Sequence, residues 1–330
     1  MTLRLAATPS GLEAAAHILR DGGLVAFGTE TVYGLGGDAS QPKAVARIFE
    51  AKNRPRFNPL ISHFATAAAA FEQVSASPLA HKLAEAFWPG PLTLVLPRAP
   101  GSTVSDLAAD GLTSLAVRVP RGDAVQTLLA LVARPIAAPS ANRSGRISPS
   151  DASHVLEELD GRIDAVLDTG PCMVGIESTV LDLTQPDKPV LLRHGGITPE
   201  ALEAVCGPLS YPETASDTAP VSPGRMLSHY APTLPVRLDV THPEATDALL
   251  AFGPTPPHGA GYVFNLSEQG CLEEAAARLF AGLRFLDKKG AELGLKAIAV
   301  SPIPAQGLGL AIRDRLHRAA APRPEEGNLT

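Results

Sequence analysis

Three cations lie within five positions of the stretch KNRPRFNPL, which runs from residue 52 to residue 60. Lys52, Arg54 and Arg56 directly follow a predicted helix, and Pro55 with the apolar run PLI indicates a loop turned toward the interior. Cations complement the dipole at any helix C-terminus, and for Arg56 this structural interpretation is the better one. For Lys52 and Arg54 the pattern favours charges that point into a cleft, where they could stabilise an anion such as a phosphate.

Four further polar clusters stand at the ends of predicted strands, where α/β proteins gather their ligands. They are GTETVYGLGGDA from Gly28, APSANRSGRISPS from Ala138, GIESTVLDL from Gly175 and LLRHGG from Leu191. The first allows two interpretations, a ligand-binding loop or a glycine-rich turn that needs positive φ. The second offers backbone N–H groups and hydroxyls to an anion, but segments of this composition also form plain turns. Each of the other two could be structural when taken alone.

Familiar nucleotide and metal motifs are absent from the sequence. It contains no GxxxxGK[ST] phosphate loop, no GxGxxG dinucleotide fingerprint, no HExxH zinc motif and no GxSxG nucleophile elbow. Cys172, Cys206 and Cys271 lie far apart and form no CxxC pair, which argues against structural zinc and against a disulfide framework. We therefore expect no metal held by protein ligands alone, and any nucleotide must be bound in another way.

Composition and charge limit the class of protein. The 330 residues, 45% of them hydrophobic, predict about two domains with buried cores. A formal net charge of -6 predicts no general attraction to nucleic acid, so an anion site must be local. The separated cysteines fit a reducing compartment, and the sequence has neither the apolar core of a signal peptide nor a run of roughly 18 apolar residues. We expect a cytoplasmic protein that does not enter membranes.

Strands and helices alternate along the first two-thirds of the chain. Thr8 and Pro9 begin a predicted helix that ends at Gly22, and the strand LVAFGT follows. After the expected loop ETVYGLGGDAS, Ser40 and Pro42 begin a second helix that ends at the cation cluster. Further strands are predicted at PLISHF, PLTLVLP, SLAVRVP, RPIAAPS, DAVLDTG, STVLDL and PVLLRHG, with helices near 78–87, 122–132, 151–159 and 199–205. So many strands, some with no room for a helix between them, predict a mixed α/β sheet in one large domain.

The composition and periodicity of the sequence change after Cys206. Residues 206–235 contain six prolines and show neither helical nor strand periodicity, which predicts a linker. Beyond it, VRLDV, GAGYVFNL and LKAIAVS alternate with helical segments such as EEAAARLFAGLRFLDKK, a pattern typical of a small Rossmann-like domain. The predicted organisation is a catalytic domain of residues 1–207, a linker or lid of 208–234, a small α/β domain of 235–320 and a disordered tail of 321–330.

The order of the clusters resembles one known family. Lys52-x-Arg54 and Ser140-x-Asn142 stand on a chain that also carries TETVYGLG, NPL, WPGPLT, AVRVP, ESTVLD and RHGGIT, and together they resemble the YrdC-like family over residues 10–205. The following SPGRMLSHYAP and the extra domain resemble its long, two-domain form, the L-threonylcarbamoyladenylate synthases. Asn53 stands where relatives commonly carry glycine, but Asn tolerates left-handed backbone better than most residues. The resemblance implies a YrdC-like mixed, twisted sheet.

The resemblance also implies a reaction. L-Threonine, bicarbonate and ATP would give threonylcarbamoyl-adenylate and pyrophosphate, with Mg²⁺ bridging phosphate oxygens of ATP. A downstream tRNA threonylcarbamoyl transferase complex would use the product, and weak tRNA binding by the chain itself is a further expectation. No protein nucleophile is required, so the site has to position anions that repel one another and supply positive charge.

Site residues follow from the same resemblance. Lys52 and Arg54 would be catalytic, and Arg118 is the natural partner for the threonine carboxylate. The implied nucleotide-binding residues are Lys52, Arg54, Asn58, Ser114, Ser140, Asn142, Ser148, Arg193 and Tyr230, and the implied threonine-binding residues are Thr31, His63, Arg118 and Ser178. His63 taken alone is more typical of a satisfied core histidine. Tyr230 either belongs to a lid over the site or packs on the second domain.

Two other functions stay open at this stage. The chain could be an RNA-binding module without chemistry, with Lys52, Arg54, Arg56, Arg118 and Arg143 aligned along phosphates. The acidic total and the 5% aromatic content count against that function. Carbamoyl transfer to another acceptor is disfavoured because no acylphosphatase-like or zinc-finger region is fused to the chain. Pyrophosphate release that depends strictly on threonine separates the three.

Overall fold

The computed structural model describes residues 1–54, 59–212 and 229–322. The chain divides into two compact units, the first made of Met1–Ser144 and Ser148–Arg225 and the second of Gly145–Ile147 and Met226–Thr330. Asn58, most of the expected linker and nearly all of the expected tail lie outside the described residues. The predicted boundaries of the linker and the tail therefore stay predictions.

A ten-stranded mixed sheet forms the frame of the first unit. Its strands are β1 Leu3–Ala6, β2 Val25–Gly28, β3 Tyr33–Asp38, β4 Ile61–His63, β5 Leu92–Pro97, β6 Ser114–Arg118, β7 Ile136–Ala137, β8 Ala165–Asp168, β9 Thr179–Asp182 and β10 Val190–Arg193. Across the sheet they are ordered β1-β8-β2-β3-β7-β4-β6-β5-β9-β10. Because β4 and β6 are parallel whereas β5 and β6 are antiparallel, the prediction of a mixed α/β sheet is confirmed.

Helices pack on this sheet and begin where local signals place them. They are α1 Pro9–Arg20, α2 Pro42–Lys52, α3 Ala67–Phe71, α4 Pro78–Phe87, α5 Asp106–Ala109, α6 Asp123–Val132, α7 Ala152–Leu159 and α8 Pro199–Cys206. Thr8 caps α1 as predicted, because its side chain accepts a hydrogen bond from the Gly11 N–H. The N-cap of α2 is Gln41 and not Ser40, because the Ser40 N–H and hydroxyl both donate to Asp38.

Apolar side chains lie on both faces of the sheet. In β2, Val25 and Phe27 join a buried cluster with residues of α1 and α6, whereas Ala26 joins the cluster on the opposite face. This alternation follows from the two-residue period of a strand. Burying one such Val or Phe side chain stabilises the fold by roughly 1.5–3 kcal/mol. The strands that carry polar residues at their ends are therefore fixed on both faces.

Strand β3 corrects the interpretation of GTETVYGLGGDA. The sequence predicts a loop there, yet Tyr33–Asp38 is a buried strand antiparallel to β2. The glycines of β3 do not have positive φ, so the glycine-rich turn is wrong as well. A Cβ on Gly36 would lie 2.5 Å from the ring of Phe27, and one on Gly37 3.1 Å from Ile48. Glycine is required here because the neighbouring strand and helix pack against the backbone itself.

The second unit contains a four-stranded parallel sheet. Its strands are β11 Val236–Arg237, β12 Asp247–Ala251, β13 Tyr262–Asn265 and β14 Ala297–Val300, in the order β11-β14-β12-β13, with helices α9 Leu272–Leu293 and α10 Leu308–Ala320. The predicted strands near 236, 262 and 297 and the long helix are present, but β12 and α10 are additions. Strand β12 is buried along its whole length, so its sequence DALLA shows no alternation. In the three described ranges, no helix is long and apolar enough to cross a membrane.

Candidate active site

Two neighbouring parallel strands end at one place in the first unit. His63 of β4 and Arg118 of β6 are register partners at the carboxyl ends of these strands. Thr31 lies in the turn between β2 and β3, and its Oγ1 accepts a hydrogen bond from Arg118 Nη1 at 3.0 Å. All three side chains are buried. The sheet thus brings together three of the four residues that the sequence assigns to threonine.

Three groups of the protein hold the Arg118 guanidinium. Its Nε donates to the carbonyl oxygen of Gly90 at 3.2 Å, and its Nη1 donates to Thr31. Its Nη2 lies 2.7 Å from Oε2 of Glu30 in an ion pair whose side chains are 5% and 2% exposed. Neither oxygen of that carboxylate receives a well-aligned hydrogen bond within the described part of the chain, so this contact is chiefly electrostatic. Since a guanidinium carries five N–H donors, N–H groups on Nη1 and Nη2 are left for a bidentate carboxylate.

His63 is a neutral imidazole in this environment. Its Nδ1 lies 3.2 Å from the carbonyl oxygen of Ile61. Burial, and after it the positive charge of Arg118, lowers the pKa of His63 to about 3. A neutral imidazole has one donor and one acceptor nitrogen and adds no positive charge beside the guanidinium. The buried position fits the core-histidine interpretation, and the contact with the charge of Arg118 fits the functional one.

Ser178 links the threonine set to a residue assigned to the nucleotide. Its hydroxyl lies 2.8 Å from the hydroxyl of Thr93, on the strand beside β9. Arg193 donates to the Ser178 carbonyl oxygen through Nε at 3.1 Å and through Nη2 at 2.9 Å, and Nη2 also lies 3.1 Å from the Ser178 hydroxyl. The structure therefore brings Ser178 and Arg193 together.

Lys52 joins the two motifs that are separated by almost ninety positions. Its Nζ donates to the carbonyl oxygens of Ser140 and Asn142, each at 2.5 Å, and its own carbonyl accepts from the Ser144 N–H at 2.8 Å. The side chain is 1% exposed. Burial and then the nearby charge of Arg54 lower the pKa of Lys52 well below its ordinary value. Lys52 thus fixes the Ser140-x-Asn142 segment against the end of α2.

Arg54 leaves helix α2 through a left-handed turn. Asn53 is the C-cap, with φ 51° and ψ 45°, and the Arg54 N–H donates to the Phe49 carbonyl oxygen at 2.9 Å. Asparagine therefore adopts the left-handed conformation that glycine commonly supplies at the end of a helix. Arg54 also acts on Asp110. Burial raises the pKa of the Asp110 carboxyl above its ordinary value, and the positive charge of Arg54 offsets part of that rise. A groove beside this turn is lined by Ala46, Phe49, Glu50, Asn53, Arg54 and Leu107.

The remaining assigned residues are spread more widely. The buried Ser148 hydroxyl donates to Glu177 Oε1 at 2.6 Å. Ser114 begins β6, four residues or about 13 Å from Arg118 at the other end. Tyr230 belongs to the second unit, where its ring stacks on Phe280 with centroids 5.2 Å apart. Ser114 and Asn58 were both assigned to the nucleotide; the assignment of Ser114 stays a prediction, and Asn58 lies outside the described residues.

Sequence reasoning missed several polar residues of this region. Glu30, Gly90 and Thr93 all contact residues assigned to threonine, and Glu177 contacts Ser148. The only signal was their membership in the motifs TETVYGLG, WPGPLT and ESTVLD, because none of them has a distinctive spacing of its own. Within the described ranges, no group of three or more His, Cys, Asp or Glu side chains is arranged to hold a metal ion.

Two family models match successive parts of the chain. One, described as Telomere recombination, matches residues 17–195. The other, described as Threonylcarbamoyl-AMP synthase, C-terminal domain, matches residues 197–321. The two matches meet at residues 195–197, whereas the sequence analysis places the end of the first domain at residue 207.

Full-length relatives and a solved structure are similar to both parts. The threonylcarbamoyl-AMP synthase of Bacillus subtilis is 41% identical over 326 residues, which cover 94% of this chain and 92% of the relative. The enzyme of that name from Pyrococcus abyssi is 41% identical, with 94% of each chain covered. The crystal structure of P. abyssi Sua5 complexed with L-threonine is similar with a TM-score of 0.86 and 38% identity, and 97% of each chain is covered.

Proposed function

Because the chain belongs to the threonylcarbamoyl-AMP synthase family, we propose that it converts L-threonine, bicarbonate and ATP into threonylcarbamoyl-AMP and pyrophosphate. The observation that carries the proposal is the buried grouping of Arg118, Thr31 and His63 at the carboxyl ends of two parallel strands. It combines one cation, a hydroxyl and a neutral imidazole, which suits a small amino acid with a carboxylate and a hydroxyl. The P. abyssi relative crystallised with L-threonine supports this choice.

The amino-acid half of the site is assigned by charge and hydrogen-bonding capacity. Arg118 binds the α-carboxylate through the N–H groups left on its two terminal nitrogens, because a bidentate, charge-assisted pair is strong in a buried site. Thr31 and His63 contribute a hydroxyl and an imidazole to the polar groups of the amino acid, and Ser178 lines the same region. Since the pKa of His63 is about 3, it stays neutral at physiological pH and does not compete with Arg118 for the carboxylate.

The chemistry then proceeds in two balanced steps. Threonine loses its ammonium proton to solvent, and the neutral amine then combines with bicarbonate to give the N-carboxylate, a carbamate, and water. A carbamate oxygen next attacks the α-phosphorus of ATP, the bond from that phosphorus to the bridging oxygen breaks, and pyrophosphate leaves. Neither step needs a protein nucleophile. The protein has to hold three anionic groups close together and to stabilise the charge that shifts onto the leaving pyrophosphate.

The nucleotide half of the site is assigned to the cations and small polar groups around the end of α2. Arg54 places positive charge at the phosphates, and Lys52 contributes to the same field from its buried position. Ser140, Asn142, Ser148 and Arg193 supply hydroxyl, amide and guanidinium groups, and Ser114, Asn58 and Tyr230 stay predictions for this half. ATP would enter as its Mg²⁺ complex, and the metal would offset part of the charge of the phosphates.

The product is an activated carbamoyl group, so a transferase has to consume it. We assign that role to a tRNA threonylcarbamoyl transferase complex in the cytoplasm, where ATP and tRNA are both present, and weak tRNA binding by this chain belongs to the same proposal.

The decisive experiment uses the full chain with ATP, MgCl₂, bicarbonate and single amino acids, and follows pyrophosphate release and product mass. We expect release only when threonine, bicarbonate and ATP are all present. Serine lacks the methyl group and valine replaces the hydroxyl by a methyl, so they test which feature is recognised. Release without threonine would indicate another acceptor, and RNA binding without release under any condition would indicate a non-catalytic module.

A further inference from the structure

Glu30 is a buried charged residue to which the proposed reaction gives no role. Its side chain is 2% exposed, and Oε2 lies 2.7 Å from Nη2 of Arg118. Its backbone is fixed too, because its carbonyl oxygen accepts from the Val174 N–H at 2.7 Å. We propose that Glu30 is a positioning residue for the amino-acid substrate, which acts by holding the Arg118 guanidinium in the orientation that binds the α-carboxylate. This inference rests on the proposed function.

Without Glu30, Arg118 would be a buried charge with no carboxylate partner among the described residues. An arginine stays protonated at physiological pH, so it cannot escape burial by losing its charge. Within the described residues, the only carboxylate in ion-pair contact with Arg118 is that of Glu30. Removing one member of a buried ion pair leaves an uncompensated charge, which turns toward water or another acceptor. The terminal nitrogens of Arg118, which should bind the substrate carboxylate, would then be misplaced.

The directed bonds of Arg118 do not replace Glu30. Gly90 accepts from Nε and Thr31 from Nη1, so these bonds fix two of the three nitrogens. Both acceptors are neutral, and neither supplies negative charge. Glu30 is the contact at the third nitrogen, Nη2. The two hydrogen bonds orient the guanidinium, and the negative charge of Glu30 holds its Nη2 side in the buried site, so that the orientation needed for a bidentate substrate contact is kept.

Glu30 also has an effect that opposes substrate binding, but we expect this effect to be smaller than its positioning effect. The Glu30 carboxylate also repels a second carboxylate bound to the same guanidinium. An amino acid is a zwitterion, however, and its ammonium group is attracted to Glu30, which offsets part of the repulsion of its carboxylate. Misplacement of the guanidinium affects both N–H donors at once. We therefore expect loss of positioning to exceed relief of repulsion.

The test compares Glu30→Gln, Arg118→Lys and the double variant in the full-length protein. Equilibrium binding of L-threonine is measured by calorimetry, and the KM values for threonine and ATP are measured by pyrophosphate release. Gln keeps the size of Glu and removes the charge. We expect Glu30→Gln to weaken threonine binding by about 10- to 100-fold, the scale of one charge-assisted contact, with little change in the KM for ATP. In the Arg118→Lys background the same change should have little further effect.

Other outcomes would exclude either the proposed threonine site or the positioning role of Glu30. If Arg118→Lys leaves threonine binding unchanged, the proposed threonine site itself is wrong. If Arg118→Lys weakens binding but folded Glu30→Gln does not, the inference about Glu30 alone is overturned. Equal weakening by Glu30→Gln in both backgrounds would mean that Glu30 contacts the substrate directly, which also overturns a positioning role. Should Glu30→Gln not fold, Glu30→Asp provides the test, since it keeps the charge but draws it back from Nη2.

A matched control removes a different buried carboxylate from the same sheet. Asp38 lies at the other end of β3, its side chain is fully buried, and it accepts from Arg134 Nη1 at 2.9 Å. Asp38→Asn therefore removes a buried negative charge outside the site, from an ion pair whose arginine is 44% exposed. It should lower stability but leave threonine binding unchanged within about twofold. Threonine binding weakened as much by Asp38→Asn as by Glu30→Gln would show a general structural effect and overturn the inference.

Discussion

The Nζ of Lys52 lies 2.5 Å from the carbonyl oxygen of Asn142, ninety positions away in the sequence. The same nitrogen donates to the Ser140 carbonyl oxygen, also at 2.5 Å. The two halves of the signature Lys-x-Arg and Ser-x-Asn are therefore in direct contact, through a side chain on one and backbone on the other. The contact gives the buried head group of Lys52 a structural role at the end of α2.

The first prediction follows from that contact. Lys52→Met keeps the apolar stem and removes both hydrogen bonds, so we expect the segment from Ser140 to Ser144 to open and adenylate formation to fall by about 10²-fold or more. Hydrogen exchange checks the structural part, because the Ser144 N–H donates to the Lys52 carbonyl oxygen and should lose protection. Lys43→Met, at an exposed position of the same helix, is the control. Unchanged protection at Ser144 with normal turnover would contradict the prediction.

A second prediction separates the roles of the two cations. Arg54→Ala should lower adenylate formation by about 10²- to 10³-fold, the scale for removing one preorganised donor that stabilises developing charge. Protection of Ser144 should be retained, because its N–H donates to the carbonyl oxygen of Lys52, which Arg54→Ala leaves in place. Arg47→Ala is the matched control, since Arg47 lies on the same helix and is 43% exposed in an ion pair with Asp164. Near-normal turnover of soluble Arg54→Ala would remove Arg54 from the catalytic residues.

The frame of the first unit could be predicted because its signals are local. The cap of α1 at Thr8, the helix over 78–87 and the strand that contains Arg118 all follow from capping residues and apolar periodicity. Strand β3 could not be predicted in the same way. Its glycines are needed for close packing against Phe27 and Ile48, which is a tertiary requirement that looks identical to a turn signal in the sequence.

The site shows the same division between local and tertiary information. Arg118 was assigned from a family motif, but its fixed orientation depends on Gly90 and Glu30, which come from two other segments. Likewise, no local pattern indicates that the Lys52 head group donates to backbone carbonyl oxygens. Motifs identify which residues meet, whereas the direction of each side chain depends on partners that only the folded chain brings together.

The third prediction concerns pH and His63. The unfolded chain binds a proton on this imidazole near its ordinary pKa of 6.5, whereas the folded chain does so only near pH 3. Between these values the unfolded state holds more protons, so His63 makes the free energy of unfolding fall as pH is lowered from about 6.5. His63→Gln removes this contribution. The stability of native protein relative to His63→Gln should therefore decrease between pH 7.5 and pH 5.

Urea unfolding at the two pH values measures this difference. Trp88 is the single tryptophan of the chain and lies in the first unit, so its fluorescence reports on the unit that contains His63. His17→Gln is the control, because the His17 side chain is 71% exposed. An identical pH dependence for native protein and His63→Gln would show that His63 is not held neutral by burial.

The last prediction concerns Tyr230, for which the sequence left a nucleotide contact and a packing role open. The ring is 1% exposed, stacks on Phe280 and meets the His229 ring edge to face at 4.0 Å. The Arg315 guanidinium lies 5.8 Å from the ring centroid, and all four residues belong to the second unit. Tyr230→Ala should therefore destabilise that unit by about 3–5 kcal/mol, as deletion of a buried aromatic does. Tyr230→Phe keeps the ring and should retain most of this stability.

Hydrogen exchange of the α9 amides around Phe280 measures the effect, and Trp88 fluorescence should report no change in the unfolding of the first unit. Tyr211→Ala, at a 54% exposed position, is the control for loss of a tyrosine ring. A raised KM for ATP in stable Tyr230→Phe would add the nucleotide contact to the packing role, whereas full exchange protection of α9 in Tyr230→Ala would contradict the packing role itself.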